Sequence, residues 1–333
     1  MKKYFIYPLV ISAGCFLALI LWFLAASRPA GKPAPVNFSV SRGEGLSKIS
    51  SRLEQRGIIR SALGFRIYVW LKRTDDKLQA GDYVLNPADT LAGLADKLLN
   101  GKVASKRVLI REGETAEEIA AIFEKEGFFT GAEFLAAVKP GRLHLGKYDF
   151  LKDKPAASNL EGYLFPDTYD FFIGTTPEQA AEKLLDNFGR KFSPELRRQA
   201  QGAGRSVYET LIMASIVERE ARKPEDMRIV AGIFWSRLAR GQALQSDATL
   251  SYFLKDKTAA HSAKELETDT PYNTYKYRGL PPTPISNPGL AAIAAAVSPA
   301  ASDYNYFLTS TDGIVYYART YEEHLRNKRK YLK

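Results

Sequence analysis

Residues 206–220 read SVYETLIMASIVERE and predict a helix that is apolar on nearly all of its faces. Ser206, followed three residues later by Glu209, is the pattern of a capping box at a helix start. A helix without a polar face is normally buried. We therefore expect this segment to form the centre of a folded domain, with two carboxylates, Glu218 and Glu220, at its end.

The two carboxylates are candidate proton donors. A carboxyl at the end of a buried helix loses hydration, so its pKa rises and it can act as a general acid near neutral pH. Periodicity does not choose between Glu218 and Glu220, because they leave the helix on different faces. The alternative interpretation is a structural ion pair with a nearby arginine.

Polar side chains gather in two blocks downstream, Gln245-Ser246-Asp247 and Pro271-Tyr272-Asn273-Thr274-Tyr275, before a proline-rich loop. Preorganised loops of this composition suit polyhydroxylated ligands, because they lose little entropy on binding. A plain turn cluster is the alternative. We predict substrate binding by the polar side chains of both blocks: Gln245, Ser246, Asp247, Tyr272, Asn273, Thr274 and Tyr275.

A third block, Glu161–Tyr169, mixes aromatic rings with carboxylates in a stretch broken by Gly162 and Pro166. Sugar rings pack on aromatic faces while their hydroxyls need polar partners, so this block would suit a glycan cleft. Ordinary buried aromatic residues are the alternative interpretation.

The N-terminus indicates the compartment. Tyr4–Ala26 carries no charge and, at about 1.5 Å per residue, is long enough to span a bilayer. We expect a cytoplasmic head at 1–3, a transmembrane helix at 4–26 and a flexible linker at 27–36, with the remainder outside the membrane. A cleaved signal peptide is the alternative.

Two segments, which begin at Gly43-Glu44 and Gly113-Glu114, repeat one pattern. Each predicts a short strand, a Gly-Glu turn, an amphipathic helix and a glycine C-cap before an apolar pair; the capping glycines are Gly57 and Gly127. Units of this kind resemble LysM modules, which bind N-acetylglucosamine polymers. A scaffold without ligand is the alternative interpretation.

Composition limits the chemistry. The 47 Lys and Arg residues outnumber the 37 Asp and Glu residues, for a net charge of +10, which favours polyanionic surroundings such as a cell-wall polymer or anionic lipid. The basic residues are spread along the chain, so we do not predict nucleic-acid binding. With one Cys and three His, we predict no metal site and no cofactor.

Four ordered blocks resemble the endolytic murein transglycosylase family: Ala214–Glu220, Leu244–Asp247, Pro271–Tyr275 and Gly279–Pro282. The resemblance implies a single-pass enzyme of the bacterial inner membrane, with its N-terminus cytoplasmic and its catalytic domain periplasmic. It implies cleavage of nascent peptidoglycan strands between MurNAc and GlcNAc that leaves 1,6-anhydroMurNAc ends and terminates strand elongation. It assigns the catalytic acid/base to Glu218 and implies peptidoglycan synthases, the penicillin-binding proteins, as partners.

The predicted fold is α+β, with a single N-terminal transmembrane helix, a small LysM-like βα region at 37–105 and a larger mixed α+β catalytic domain at 106–333. One carboxylate suffices for a lytic reaction, because the muramic C6 hydroxyl is an internal nucleophile, whereas hydrolysis generally needs two. The alternatives are a hydrolytic muramidase, with Asp247 as the second carboxylate, and a non-catalytic glycan-binding scaffold. Near the C-terminus, Gly313–Tyr317 departs from the family's Gly-Gly-His strand, so no histidine role is implied there.

Overall fold

The computed structural model describes residues 6–41, 43–74, 78–100, 105–143, 145–172, 174–256, 261–310 and 312–332; within these ranges, the side chains of residues 6–13, 15, 16 and 82 lie outside the description. The chain divides into two compact units, Met1–Lys106 with Asp170–Gly174, and Arg107–Tyr169 with Thr175–Lys333. Helices and small two-stranded sheets occur together. The predicted α+β class is confirmed.

The first unit is built around one antiparallel strand pair. Its elements are α1 (Ile6–Ala26), β1 (Val36–Val40), α2 (Leu46–Gln55), α3 (Ala62–Leu71), β2 (Gly81–Leu85) and α4 (Leu91–Leu99). Val36 of β1 lies opposite Leu85 of β2, and Val40 lies opposite Gly81. The two strands and helices α2 to α4 share one apolar core, which includes Phe38, Leu53, Phe65, Tyr83 and Leu94.

Helix α1 does not support the predicted transmembrane span. In the part of the chain that the structure describes, no helix is long and apolar enough to cross a bilayer. At the end of the predicted span, Ala26 is buried by protein, and its Cβ lies 3.0 Å from the point where a Cβ on Gly64 of α3 would stand. The head at 1–3 and the first two residues of the span, Tyr4 and Phe5, lie outside the described residues.

The segment predicted as a linker is hydrogen-bonded to the first unit. The carbonyl of Pro87 accepts the N–H groups of Ala30 and Gly31. The Arg60 side chain donates to the carbonyl of Pro29 at 2.7 Å. These bonds give the backbone between α1 and β1 defined partners in the fold.

From Ser105 onward, short strands alternate with a larger number of helices. They are β3 (Ser105–Ile110), α5 (Ala116–Lys125), α6 (Gly131–Ala137), β4 (Asp167–Phe172), α7 (Pro177–Lys191), α8 (Pro194–Gly202), α9 (Val207–Glu220), α10 (Pro224–Ala239), α11 (Asp247–Leu254), α12 (Leu290–Val297), β5 (Tyr306–Thr309), β6 (Val315–Ala318) and α13 (Tyr321–Tyr331). Strand β3 pairs with β4, and β5 pairs with β6 in antiparallel register, with Tyr306 opposite Ala318.

Helix α9 is the central element of the second unit. Every residue from Leu211 to Val217 is buried, and α8, α10, α11 and α12 all pack against it. The predicted capping box is present, since Ser206 and Glu209 bond each other's backbone N–H groups. The prediction of a buried core helix is therefore confirmed, and its C-terminal turn places Glu218 and Glu220.

The repeated Gly-Glu turn has the same conformation in both copies. Gly43 and Gly113 have φ of 80° and 79°, a left-handed conformation that glycine adopts without steric cost. In each copy, the carboxylate of the next residue, Glu44 or Glu114, accepts the N–H of the residue two before the glycine. The sequence repeat is thus a structural repeat.

The helix ends also match. Gly57 and Gly127 have φ of 66° and 75°, and each donates its N–H to the helix before it. In each copy the next N–H also bonds a carbonyl of the last helical turn, which satisfies carbonyls that the helix leaves unpaired. The predicted glycine C-caps are confirmed.

Substituting Gly127 by Ala tests the capping role. The added Cβ would meet no atom within 4 Å, so the cost comes from the left-handed backbone alone, and we expect the free energy of unfolding to fall by about 1–2 kcal/mol. The control is Gly202→Ala at the end of α8, where the Cβ also meets no atom and φ is not left-handed. Chemical denaturation measures both, and equal losses would contradict the prediction.

Candidate active site

Glu218 lies in the last turn of α9, beside the start of α12. Its Oε2 accepts the backbone N–H of Gly289 at 2.9 Å, and Gly289 is the N-cap residue of α12. The Gly-Glu turn of the second repeat lies on the same side, since a Cβ on Gly113 would stand 3.5 Å from Cγ of Glu218. Two backbone segments far apart in the sequence therefore border this carboxyl group.

The carboxyl group of Glu218 is suited to exchange a proton near neutral pH. Burial raises its pKa to about 7, the Gly289 N–H opposes that rise, and the negative charge of Glu112 adds to it. Glu112 lies against Gly289, where any Cβ would overlap its carboxylate. A second carboxylate thus stands beside the candidate acid.

Glu220 is in a different environment. Its Oε1 accepts the hydroxyl hydrogen of Ser246 at 2.5 Å. Burial raises the pKa of Glu220 to about 7; the Ser246 bond opposes the rise, Asp247 adds to it, and Arg237 opposes it. The two carboxylates of α9 therefore have separate partners, which the sequence pattern could not distinguish.

Part of the predicted binding set lies around Glu220: Ser246, Asp247, Thr274 and Tyr275. Tyr275 donates its hydroxyl to Asp247 at 3.0 Å. Thr274 accepts the N–H of Ser246 at 3.1 Å, and its carbonyl accepts the N–H of Gln245. Among the described residues, none of the seven predicted binding side chains hydrogen-bonds to Glu218.

Three of the seven side chains are buried and bond to the protein itself: Ser246, Asn273 and Thr274. The Asn273 amide, for example, donates to two carbonyls of its own loop, those of Leu266 and Thr268. The other four, Gln245, Asp247, Tyr272 and Tyr275, reach the surface at least in part. Tyr272 stands apart from the cluster and bonds Thr283 at 2.8 Å.

Sequence reasoning missed Glu161 as an individual site residue. Its side chain is buried, and both carboxylate oxygens accept the N–H of Ala116, at 3.0 and 3.1 Å. Asn287 donates to Oε1 at 2.8 Å. Burial raises the pKa of Glu161 to about 7, and these donors oppose the rise. In the sequence, the only signal for this residue was the block of aromatic and acidic residues that begins at Glu161.

Glu161 also lines a cavity of about 630 Å³ in the second unit. Residues of helices α5, α6 and α11 line this cavity, together with Arg219 of α9. The cavity presents both cations and aromatic rings: Lys139, Arg219, Tyr252, Phe253 and Lys255. A cavity of this size and mixed lining can accommodate part of a polar ligand.

One group of metal-type ligands occurs in the described part of the chain. Asp256, His261 and Glu265 bring ligand atoms within 4.8 Å of one another. Local bonds already explain two members: the Nε2 of His261 bonds the Ser251 hydroxyl, and Glu265 accepts the N–H and hydroxyl of Ser262. Ser262 and Glu265 thus form a capped turn.

Comparison with known proteins identifies the family. Residues 38–330 match the YceG-like family. The chain belongs to this family. A Bacillus subtilis (strain 168) protein named endolytic murein transglycosylase is 31% identical over 313 residues, which are 89% of this chain and 85% of that protein.

One further sequence relative and one solved structure are also similar to this chain. A Streptococcus pneumoniae (serotype 2, strain D39) protein of the same name is 33% identical over 88% of this chain, but the match spans only 57% of that protein. The crystal structure of a Listeria monocytogenes protein described as yceG-like has 33% identity and a TM-score of 0.61, covering 89% of this chain and 99% of that one.

The stability of this YceG-like protein should depend on the protonation of Glu220. Because its folded-state pKa is raised from 4.5 to about 7, its stabilising contribution is full below pH 4.5 and is lost as the pH rises through 7. Gln cannot ionise but can still accept the Ser246 bond. We therefore expect Glu220→Gln to gain about 3 kcal/mol of unfolding free energy over wild type between pH 4.5 and 8.

Denaturation at pH 5 and pH 8 measures this difference. The control is Glu195→Gln, at an exposed carboxylate whose pKa is lowered by its bond to Arg198, and we expect no gain with pH there. A difference between Glu220→Gln and wild type that stays constant across this range would show that the pKa of Glu220 is not raised in the folded state.

Proposed function

We propose that this chain is an endolytic murein transglycosylase that cuts peptidoglycan glycan strands internally, between MurNAc and GlcNAc, and leaves 1,6-anhydroMurNAc ends. The observation that carries the proposal is the match of 89% of the chain to the Bacillus protein of that name. The geometry at Glu218 supports it, because a carboxyl with a pKa near 7 can give up a proton and take one back at neutral pH.

In the proposed reaction Glu218 acts twice. It first donates its proton to the glycosidic oxygen, so that the bond from this oxygen to C1 of MurNAc breaks and GlcNAc leaves with its 4-hydroxyl. The carboxylate then accepts the proton of the MurNAc C6 hydroxyl as that oxygen bonds to C1. No water is consumed, and Glu218 ends in its starting protonation state.

The Gly289 N–H contributes orientation. By occupying Oε2 of Glu218 at 2.9 Å, it holds the carboxyl group in one rotamer and directs proton exchange to Oε1. It also stabilises the carboxylate formed between the two steps, since a hydrogen bond to the charged form favours that form. A fixed donor of this kind needs no reorganisation during the reaction.

Glu112 favours a second candidate function. A hydrolytic muramidase needs a second carboxylate to activate water or form a glycosyl-enzyme. Asp247, the residue expected in that role, bonds Tyr275 and adjoins Glu220, whereas Glu112 is the carboxylate whose charge acts on Glu218. The products of the reaction distinguish the two functions.

Substituting Glu218 by Gln should abolish cleavage of peptidoglycan. Gln keeps the shape and the acceptor for Gly289 but cannot donate a catalytic proton, so we expect anhydroMurNAc products to fall by about a hundredfold or more. Mass spectrometry of the fragments released from purified peptidoglycan measures this. Glu209→Gln is the matched control, because Glu209 lies in the same helix and only caps it.

The remaining outcomes separate the alternatives. Reducing sugar ends from the wild type, lost in Glu112→Gln as well as Glu218→Gln, would establish a hydrolase. Intact glycan bound equally by wild type and Glu218→Gln would establish a non-catalytic scaffold. Loss of activity in Glu220→Gln but not Glu218→Gln would assign the acid to the other carboxylate of α9.

The rate of glycan cleavage should also fall as the pH becomes alkaline. Because the first step needs protonated Glu218, kcat/KM should fall above about pH 7, by about tenfold for each further pH unit. Initial rates of glycan cleavage between pH 5 and pH 9 measure this profile. A kcat/KM that keeps rising through pH 8 would contradict an acid of this pKa.

We also propose that the enzyme is anchored at the bacterial inner membrane, with its catalytic unit outside the cytoplasm and peptidoglycan synthases as partners. The support for the anchor comes from the sequence alone, in which Tyr4–Ala26 carries no charge. The strand-helix-helix-strand order of β1, α2, α3 and β2, with its antiparallel pair, supports a LysM-like unit.

Two experiments test these proposals. Recovery of the full chain in the soluble fraction would refute the anchor. Failure of the Glu218→Gln chain to sediment with insoluble peptidoglycan would count against glycan binding.

A further inference from the structure

The proposed reaction gives no role to the buried carboxyl group of Glu161. Glu161 is 3% exposed, yet its carboxylate collects three donors from distant segments: the N–H of Ala116 at the start of α5, the amide of Asn287, and the hydroxyl of Tyr252 at 3.4 Å. Burying a carboxyl group is costly unless it is well hydrogen-bonded. We therefore infer that Glu161 holds these three donors, and the segments that carry them, in place.

Asn287 is the partner that leads to the site. Its side-chain amide donates to Glu161 and also to the carbonyl of Glu114, at 2.9 Å. Its side-chain oxygen accepts the N–H of Leu164 at 2.9 Å. The bonds to Glu161, Glu114 and Leu164 together fix which end of the amide faces which segment, because only its nitrogen donates and only its oxygen accepts.

Asn287 also joins the backbone segments that border Glu218. Its N–H donates to the carbonyl of Glu114, and its carbonyl accepts the N–H of Gly113, both at 2.9 Å. Two residues further on, Gly289 donates to Glu218. The Gly-Glu turn and the start of α12 are thus held together at Asn287, directly beside the candidate acid.

We propose that Glu161 is a positioning residue for Glu218. Through Asn287 it holds the backbone of Gly289 where its N–H meets the Glu218 carboxyl group. This inference rests on the proposed function, since it concerns the same acid. Glu161 itself does not touch the substrate in this proposal, so its loss changes the efficiency of proton transfer.

Groups of both charges lie near the two carboxyls. Glu161 shares its cavity with the cations Lys139, Arg219 and Lys255. Glu161 faces Tyr252 of α11 and, more distantly, Glu117 of α5, together with the N-terminus of that helix. Glu218 faces Glu112 from the segment before α5. The hydrogen-bond partners of Glu161 are nevertheless neutral groups, those of Ala116, Asn287 and Tyr252.

The test compares Glu161→Gln with Glu124→Gln. Glu124 accepts the first N–H of α6, that of Gly131, at 3.1 Å, as Glu161 accepts the first N–H of α5. The control therefore alters an equivalent acceptor at a helix start, away from the site. In Glu161→Gln the new NH₂ group would face existing donors, so we expect kcat to fall about tenfold to hundredfold, with KM within about twofold.

The pH profile separates positioning from stability. If the Gly289 N–H moves away from Glu218, the pKa of that carboxyl rises, so the descending limb of kcat/KM moves to higher pH in Glu161→Gln. A purely structural role would lower the amount of folded enzyme without moving this limb. An unshifted limb, or kinetics equal to those of Glu124→Gln, would overturn the proposal.

A second set of variants applies if Glu161→Gln folds poorly. Asn287→Ala breaks the same chain of bonds one step later, and it should show the same shift of the limb; an unshifted limb would overturn the proposal. Where both fold, the double variant should lose no more kcat than the worse single variant, and additive losses would overturn it.

The Glu218→Gln variant separates this inference from the proposed function. Activity retained in Glu218→Gln would refute the proposed role of Glu218 as the acid, whereas failure of the Glu161 tests with Glu218→Gln inactive would refute this inference alone.

Discussion

The removal of water from helix α9 is the constraint on which the rest of the second unit depends. A helix that is apolar on every side is stable only if other elements surround it, and α8, α10, α11 and α12 do so. The same enclosure reaches the last turn and raises the pKa of two carboxyl groups there. The burial that stabilises α9 is therefore also the cause of the raised pKa values. A change that loosened the packing around α9 would also change the proposed chemistry.

Local structure could be predicted well from the sequence, because its causes are local. The capping box of α9, the glycine C-caps of the repeat and the α+β class all follow from residues a few positions apart. The partners of Glu161 could not be predicted, since Ala116 and Asn287 lie 45 and 126 residues away. Only the folded chain brings such groups together.

The binding residues illustrate another limit of sequence reasoning. A loop rich in hydroxyl and amide groups can bind a ligand or satisfy its own backbone, and composition is the same in both cases. Asn273 and Thr274 bond inward and are buried, whereas Asp247 and Tyr275 remain partly accessible. At the N-terminus, an uncharged stretch predicted a transmembrane helix that ends at Ala26, but protein buries that residue.

The two Gly-Glu turns allow one backbone conformation to be compared in two different surroundings. The backbone is the same at Gly43 and Gly113, yet a side chain at Gly43 would meet open space and one at Gly113 would meet Glu218. The residue before the glycine is Arg42 in one copy and Glu112 in the other, a reversal of charge. The same turn thus stands in two surroundings, and only the second copy places a negative charge beside the candidate acid.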